Sequence, residues 1–243
     1  MFSFFSKKPK VSNLAWLGVD MHSHILPGID DGAETVDQSL KLLERLHALG
    51  LSTFHFTPHV FAEMYPNTLE TVAAAYNLLL EKLPAGIKTS FAAEYMVDSG
   101  FEKKCTDSNQ LLLLPNQHIL VEMSYIQESH SIDSVLFDLQ VQGLTPILAH
   151  PERYVYYQGD LDKIRRFREA GVLLQVNLLS LIGYYGNRER KAAKWLAEQG
   201  WIDLVGTDVH HERHVKALEL GLQQENLTKV LQNCTIKNAE LFA

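Results

Sequence analysis

The segment "WLGVDMHSHILPGIDDGAETVDQSLKLLERLHALG" (residues 16–50) contains one complete strand–helix unit, and the recurrence of such units predicts the fold. Its first part, "WLGVDMHSH", has the length and apolar content of a buried strand. After a short polar turn, "ETVDQSLKLLERLHALG" has apolar residues at helical spacing and ends at Gly50, a helix stop signal.

Similar units continue to the end of the chain. Further strands are predicted at 51–59, 87–97, 118–124, 145–153, 172–180 and 202–210, and further helices at 69–83, 131–143, 161–171, 187–200 and after 210. Alternating strands and helices are typical of an α/β fold in which crossover helices connect a parallel sheet. About seven units in 243 residues favour a TIM-like barrel, with an open doubly wound sheet as the alternative.

Composition and charge limit the class of protein. With 46% hydrophobic and 21% charged residues, the chain has the make-up of a soluble protein with a substantial core. The net charge of −7 argues against a nucleic-acid partner, since such proteins usually carry a basic face. No glycine-rich phosphate loop follows a predicted strand, which removes the main support for a nucleotide cofactor.

We expect one domain over residues 16–243 after a flexible leader at residues 1–15. The charges of the leader follow its apolar residues, the reverse of the order in a signal peptide. No apolar run reaches the length of a transmembrane segment. Two cysteines are too few for a disulfide framework and suit a reducing compartment, so a cytoplasmic location is predicted.

Six of the seven predicted strands end in residues that can bind a metal ion. In a barrel of this kind the carboxyl ends of the strands lie on one face, where the chemistry takes place. A lone histidine at a strand end is usually structural, but coincidence across six strands is a weak explanation. The candidates at these ends are His22, His24, His59, Glu94, Glu122, His150, Asp208 and His210.

The ligand types indicate the metal chemistry. Imidazole and carboxylate without thiolate suit Mn²⁺, Zn²⁺ or Fe²⁺. His22 and His24 would point to the same side of a strand, because side chains alternate with a period of two. Together with the aspartates of the opening segment, these residues exceed what one ion can use, which suggests two or three ions. Clustered metals activate water and hold phosphoryl oxygens, which favours a metallo-phosphoesterase.

Two arginines are candidates for binding phosphate. Arg153 follows His150 by three residues, and Arg213 follows His210 by three. A cysteine nucleophile is excluded, because Cys105 and Cys234 lack the arginine that a cysteine phosphatase has six residues further on. No G-x-S-x-G nucleophile elbow is present.

The motifs "DMHSHILPGIDDG", "TPH", "AEY", "VEMS", "AHPER" and "GTDVH", in this order, resemble the polymerase-and-histidinol-phosphatase (PHP) superfamily. Within it, the chain is similar to the bacterial metal-dependent tyrosine-protein phosphatases of capsular and extracellular polysaccharide synthesis. The resemblance extends from about Trp16 to Phe242. The segment "QVNLLSLIGYYG" also matches the family, without a predicted chemical role.

This resemblance implies a distorted (β/α)7 barrel that holds three divalent ions, with Mn²⁺ favoured over Fe or Zn²⁺. The implied ligands are His22, His24, Glu94 and Asp208 for the first ion, Glu122 and His150 with bridging Glu94 for the second, and Asp31, His59 and His210 for the third. A metal-bridging hydroxide would attack phosphorus while Arg153 binds the phosphate. Arg213 comes slightly earlier than the family's second arginine, and Asp30 has no assigned role.

The resemblance also implies the substrate, phosphotyrosine on a protein, with a bacterial tyrosine kinase that controls polysaccharide export as the expected partner. One alternative is a PHP phosphoesterase that acts on a small molecule such as histidinol phosphate. Another is a PHP fold that has lost catalysis and serves as a binding module. Tyr125, Tyr154 and Tyr184 are candidates for the rim of the site, although packing roles are favoured for each.

Overall fold

The structure is a computed structural model that describes residues 13–243. The predicted leader at 1–15 therefore lies outside the described residues except for its last three, of which Leu14 is fully buried. Within residues 13–243 the strands are β1 (Val19–Asp20), β2 (Thr53–Phe56), β3 (His59–Val60), β4 (Lys88–Phe91), β5 (Glu94–Met96), β6 (His118–Glu122), β7 (Thr145–Ala149), β8 (Leu173–Asn177) and β9 (Leu204–Gly206).

The strands alternate with helices, as the sequence predicts. The helices are α1 (Val36–Ala48), α2 (Leu69–Leu80), α3 (Ser99–Lys104), α4 (Ile132–Val141), α5 (Arg165–Glu169), α6 (Leu178–Ile182), α7 (Asn187–Glu198), α8 (Glu212–Gln224), α9 (Leu227–Val230) and α10 (Asn238–Phe242). Short 3-10 helices cover Ser108–Gln110, Pro151–Arg153 and Leu161–Ile164.

Every strand pairs in parallel with its neighbours. One sheet has the order β1-β2-β4, and the other has the order β3-β5-β6-β7-β8-β9. Backbone hydrogen bonds continue from the first sheet into the second, because Ala92 N donates to Phe56 O (2.8 Å) and Glu94 N donates to Pro58 O (3.0 Å). The result is an α/β fold with a curled parallel sheet.

The first and last strands meet where the sheet curls. Ser23 forms a parallel bridge with Val209, and His24 N donates to Val209 O at 3.0 Å. Below this point, the hydroxyl of Thr207 donates to Asp20 Oδ2 at 2.6 Å. These contacts bring the ends of β1 and β9 to the same place as the ends of the other strands.

Helix α1 illustrates how the sequence specifies a packed helix. The side chain of Thr35 caps its first turn by accepting from Gln38 N (3.3 Å). Its apolar residues Leu42, Leu43 and Leu46 are buried, since their spacing places them on one face. In the last turn of α1, Arg45 forms a bidentate ion pair with Glu219 of α8.

In two of the predicted strands, the last residues form a helix instead of continuing the strand. The segment predicted as a strand at 172–180 leaves the sheet after Asn177, and its apolar residues continue as α6. In the segment at 145–153, the strand ends at Ala149, and Pro151–Arg153 form a 3-10 helix. A short apolar run does not distinguish a buried strand from a buried helix, which explains the first difference.

Among residues 13–243, every helix is too short or too polar to span a bilayer.

Asn238 links β1 to β9 and is expected to matter for stability. Its buried side chain donates to Val19 O (3.2 Å) and Val205 O (2.7 Å) and accepts from Val205 N (3.0 Å). Asn238→Ala leaves buried backbone groups without partners, so we expect the free energy of unfolding in urea to fall by about 2–4 kcal/mol. The exposed control Asn187→Ala should stay within about 0.5 kcal/mol of wild type. Equal stability of the two variants would contradict the bridging role.

Candidate metal centre

His22 and His24 follow β1 and lie side by side. Their Nε2 atoms are 3.3 Å apart, and both side chains are fully buried. The spacing of two residues places both rings on the same side of the extended chain, as the sequence predicts.

Glu94 lies at the centre of the site. It begins β5 and is fully buried. Its Oε1 lies 3.2 Å from His22 Nε2 and 2.9 Å from His150 Nε2. Its Oε2 lies 3.3 Å from His24 Nε2 and 3.1 Å from His59 Nδ1. One carboxylate is therefore shared among four imidazoles from three other strand ends.

Glu122, the last residue of β6, lies on one side of Glu94. Its Oε1 is 2.9 Å from His59 Nδ1, and its Oε2 is 3.8 Å from His150 Nε2. His59, Glu94 and Glu122 together offer ligand atoms within 4.8 Å of one another. The family resemblance implies that His59 and Glu122 bind different ions, and the structure places His59 between Glu122 and Asp31.

Asp208 and His210 follow β9 on the other side of Glu94. Asp208 Oδ1 lies 3.3 Å from His24 Nε2 and 3.5 Å from His22 Nε2. Asp31 approaches from the turn after β1, and its Oδ1 lies 3.5 Å from the Nε2 atoms of both His59 and His210. His24 lies next to Asp31 and His210 as well. Its ring stacks on that of His210, with the two ring centroids 4.0 Å apart.

The structure thus brings all nine predicted ligands into one cluster. Four groups within it have ligand atoms close enough to share an ion, namely His24, Asp31, His59 and His210; His22, His150 and Asp208; His22, His24 and Glu94; and His59, Glu94 and Glu122. Two of the nine residues have left-handed backbone conformations, His150 at φ 32° and Asp208 at φ 50°. Such conformations are unfavourable for residues other than glycine and occur preferentially at functional sites.

Hydrogen bonds at Nδ1 fix the orientation of three imidazoles. The Nδ1–H of His22 donates to Gln175 Oε1, and that of His24 donates to Asp30 Oδ2, both at 2.8 Å. The Nδ1–H of His210 donates to the carbonyl of Asp208 at 3.0 Å. Each bond fixes the ring with Nε2 directed at the cluster, where it could bind a metal ion in place of a proton.

The turn between the two histidines and α1 is shaped around Asp30. Asp30 Oδ1 accepts from Gly32 N (2.9 Å), and Oδ2 accepts from His59 N (3.1 Å) as well as from His24. Residue 32 must be glycine, because a Cβ there would lie 1.9 Å from the carbonyl oxygen of His24. The turn therefore holds two predicted ligands, His24 and His59, from one carboxylate.

The electrostatics of the cluster favour ionised carboxylates. Burial alone would raise the pKa of Glu94, but the charges of His22 and His59 hold it well below its usual range. Asp208 is also held well below its usual pKa, because His22 and His210 outweigh its burial. Burial is likewise outweighed at Asp30, where His24 and the Gly32 N–H lower the pKa to about 2.

The donor set fits divalent metal ions. The buried Oε2 of Glu94 and Nδ1 of His150 have no hydrogen-bond partner among the described residues, although ring nitrogens lie close to the former. A buried carboxylate oxygen needs a donor or a cation. Oxygen and imidazole ligands suit borderline divalent ions, and the charge of such an ion can replace the imidazolium charge that balances these acids.

Arg153 lies at the edge of the cleft above the cluster. Its Nη1 donates to Asp208 Oδ2 at 3.2 Å, and its side chain is largely buried. The cleft has a volume of about 340 Å³, and its wall includes apolar and aromatic side chains. The residues that line it are Asp31, His59, Phe61, Met64, Tyr65, Met96, Glu122, Tyr125, Arg153, Tyr185, His210, His211 and His214.

The other predicted site residues lie in different surroundings. Arg213 is exposed and lines a neighbouring cavity together with Asp31 and His210. Of the three candidate rim tyrosines, Tyr125 lines the cleft. Tyr154 is fully buried in the core, and its hydroxyl donates to Ala149 O. Tyr184 is exposed and packs edge-on against His214. The neighbouring residue Tyr185 lines the cleft.

Several residues near the site were not predicted, among them Gln175, Asn177, Tyr185 and His214. Gln175 and Asn177 belong to β8, and Asn177 Nδ2 donates to Asp208 Oδ2 at 2.5 Å. Tyr185 and His214 line the cleft. The first three belong to the segment "QVNLLSLIGYYG", whose alternating polar residues at the end of a strand were the available signal. His214 is four residues after His210 at the start of a helix, and it accepts from His210 N through Nδ1.

Sequence comparisons identify a family and several relatives of this chain. A family model described as "Capsular polysaccharide synthesis, CpsB/CapC" matches residues 18–238. The tyrosine-protein phosphatase YwqE of Bacillus subtilis is 27% identical over 233 residues, which cover 92% of this chain and 91% of that protein. The tyrosine-protein phosphatase CpsB of Streptococcus pneumoniae is 24% identical over 201 residues, or 79% of this chain and 83% of that protein.

Solved structures of other proteins share the fold of this chain. A structure reported with YwqE from Bacillus subtilis and CpsB from Streptococcus pneumoniae, described as unique metal-dependent tyrosine phosphatases, matches with a TM-score of 0.74 and 25% identity. The match covers 90% of this chain and 96% of the other. An amidohydrolase from Mycoplasma synoviae shares the fold, with a TM-score of 0.55 and 12% identity over 92% of this chain and 86% of the other. The chain therefore belongs to the CpsB/CapC family of capsular polysaccharide synthesis proteins.

Proposed function

We propose that this chain is a metal-dependent protein-tyrosine phosphatase that removes phosphate from phosphotyrosine on a protein. The observation that carries the proposal is the convergence of nine histidine and carboxylate side chains beneath a cleft that Arg153 borders. The names of the relatives YwqE and CpsB support the same activity. They do not favour histidinol phosphate as the substrate.

We propose that the cluster holds three divalent ions, with Mn²⁺ the first choice and Fe or Zn²⁺ as alternatives. The ligands are His22, His24, Asp31, His59, Glu94, Glu122, His150, Asp208 and His210. When bound, such ions activate water as a nucleophile and neutralise charge on the phosphoryl oxygens.

The residues of the chain itself bind and orient the substrate. Arg153 is the proposed phosphate-binding residue, since a guanidinium group can hold two phosphoryl oxygens at once. Phe61 and Tyr65 in the cleft wall provide apolar surface for the phenyl ring of the substrate. The pKa values of Glu94 and Asp208 are held low, as described above, and Gln175 and Asp30 hold the imidazoles of His22 and His24 in place.

We infer that the curled sheet is a distorted (β/α)7 barrel. If β2 with β3 and β4 with β5 each count as one interrupted strand, the order of neighbours gives seven positions. The contacts between the ends of β1 and β9 support closure. A core that runs from Leu14 to Leu231 supports a single domain at 16–243. A cytoplasmic location and a tyrosine kinase of polysaccharide export as partner remain part of the proposal.

The function is tested by comparing two substrates. With Mn²⁺ present, we expect kcat/KM for a phosphotyrosine peptide to exceed that for histidinol phosphate at least about tenfold, because the cleft has an aromatic wall. A chelator and His150→Ala should each abolish turnover, whereas thiol alkylation should not. Turnover of histidinol phosphate alone would overturn the substrate, and activity that survives both metal removal and His150→Ala would overturn the metal mechanism.

Asp30 is expected to act through the metal ligands that it orients. Asp30→Asn weakens the bond that fixes His24 Nδ1, so the affinity for Mn²⁺ should fall by about 10- to 100-fold. Titration calorimetry with Mn²⁺ measures this change. Asp37→Asn is the matched control, because Asp37 is exposed on α1. Unchanged Mn²⁺ affinity in Asp30→Asn would argue against the orienting role.

The two candidate arginines are expected to differ in effect. Arg153→Ala should lower kcat/KM for the phosphotyrosine peptide by about 10²–10³, because it removes a charged donor to the transferring group. Arg213 is proposed as a weaker contact, so Arg213→Ala should cost about tenfold or less, since this side chain is exposed in the neighbouring cavity. Arg188→Ala, exposed on α7, is the control. An equal loss in the two arginine variants would show that the ranking is wrong.

A further inference from the structure

The guanidinium group of Arg153 is sandwiched between two tyrosine rings. Its central carbon lies 4.2 Å from the ring centroid of Tyr125 and 4.1 Å from that of Tyr185. Cation–π attraction acts at distances below about 6 Å. The rings of Tyr125 and Tyr185 therefore both hold the guanidinium. This guanidinium is the cationic group of the proposed phosphate site.

The edge of the guanidinium is fixed as well. Nη1 of Arg153 donates to Asp208 Oδ2 at 3.2 Å, and the hydroxyl of Tyr185 donates to the same oxygen at 3.4 Å. Asn177 holds this oxygen from a third direction. An arginine has five N–H donors, and among the described residues only Asp208 accepts a hydrogen bond from Arg153, through Nη1. The other donors are available to a ligand in the cleft that Arg153 lines.

The chain builds both tyrosines into place. Tyr185 lies in the tight turn between α6 and α7, where Gly183 (φ 87°) and Gly186 (φ 132°) adopt conformations that other residues rarely adopt. Tyr125 lies in the segment after β6, and its carbonyl accepts from Val155 N at 3.0 Å. This bond ties the segment of Tyr125 to the one that carries Arg153, two residues away.

We propose that Tyr125 and Tyr185 are positioning residues that hold the Arg153 guanidinium in the plane needed to bind a phosphate dianion. The inference rests on the proposed function and gives a role to the unexplained "GYYG" part of the family segment. A free arginine side chain loses rotational freedom when it binds phosphate, whereas a sandwiched one has lost it already. The rings act through Arg153 and need not contact the substrate.

The test measures binding of inorganic phosphate as well as turnover. Tyr125→Leu and Tyr185→Leu remove the rings, and Tyr125→Phe and Tyr185→Phe keep them. With the Mn²⁺-loaded protein, each leucine variant should bind inorganic phosphate roughly 3- to 10-fold more weakly in calorimetry. KM for the phosphotyrosine peptide should rise by a similar factor, with a smaller change in kcat. The phenylalanine variants should stay within about twofold of wild type, because the ring faces remain.

A double-mutant cycle separates positioning from other roles. In an Arg153→Ala background, Tyr125→Leu and Tyr185→Leu should cause no further loss of phosphate affinity. Additive losses in that background would overturn the proposal. So would a raised KM for the peptide with unchanged affinity for inorganic phosphate, because the rings would then contact the phenyl group of the substrate instead.

The controls distinguish a failure of this proposal from misfolding of a variant and from a failure of the proposed function. Tyr125 is 37% exposed, so Tyr125→Leu is expected to fold even if Tyr185→Leu does not. Phe137→Leu makes the same kind of change at an exposed position on α4 and should leave phosphate affinity unaltered. If wild type binds phosphate but fails to hydrolyse the peptide, the proposed function fails while the phosphate titrations still test the sandwich. If wild type hydrolyses the peptide and both leucine variants bind phosphate normally, the sandwich alone fails.

Discussion

The arrangement of the site depends on one buried carboxylate. Glu94 is fully buried, and its two oxygens lie within 3.3 Å of imidazole nitrogens from four histidines. A carboxylate in this position is unfavourable unless positive charge surrounds it. The segments after β1 and β7 and the start of β3 must therefore supply that charge at fixed distances. The curl of the sheet is what places these ends around a single point.

Much of this arrangement could be predicted because it follows from local pattern. The spacing of two between His22 and His24 and the position of Glu94 toward the end of a predicted strand are visible in the sequence. Parallel strands with crossover helices bring their carboxyl ends to one face, so the nine predicted ligands were expected together, and they lie together. Membership of the polysaccharide-synthesis family is confirmed. The ligand roles themselves and the count of seven strands stay predictions.

The details that could not be predicted depend on three-dimensional contacts. Arg213 has the spacing of a phosphate ligand, but the first turn of α8 carries it into a neighbouring cavity and places His214 in the cleft. Asp30 has no recognisable role in sequence, yet it accepts from His24, Gly32 and His59. The strand predicted to reach residue 180 ends at Asn177, because a short apolar run fits a buried helix as well as a strand. Each of these outcomes depends on neighbours that are distant in the chain.

The junction between β1 and β9 has a consequence for the folding of the protein during its synthesis. Thr207 and Asp20, which are hydrogen-bonded there, are separated by 187 positions. Long-range pairings of this kind form slowly, and a chain emerges from the ribosome from its N-terminus. Of the nine side chains in the cluster, His22 and His24 are therefore made first, while Asp208 and His210 are made last. The nine side chains of the cluster therefore cannot come together until residue 210 has been synthesised, so the cluster forms only after most of the described residues exist.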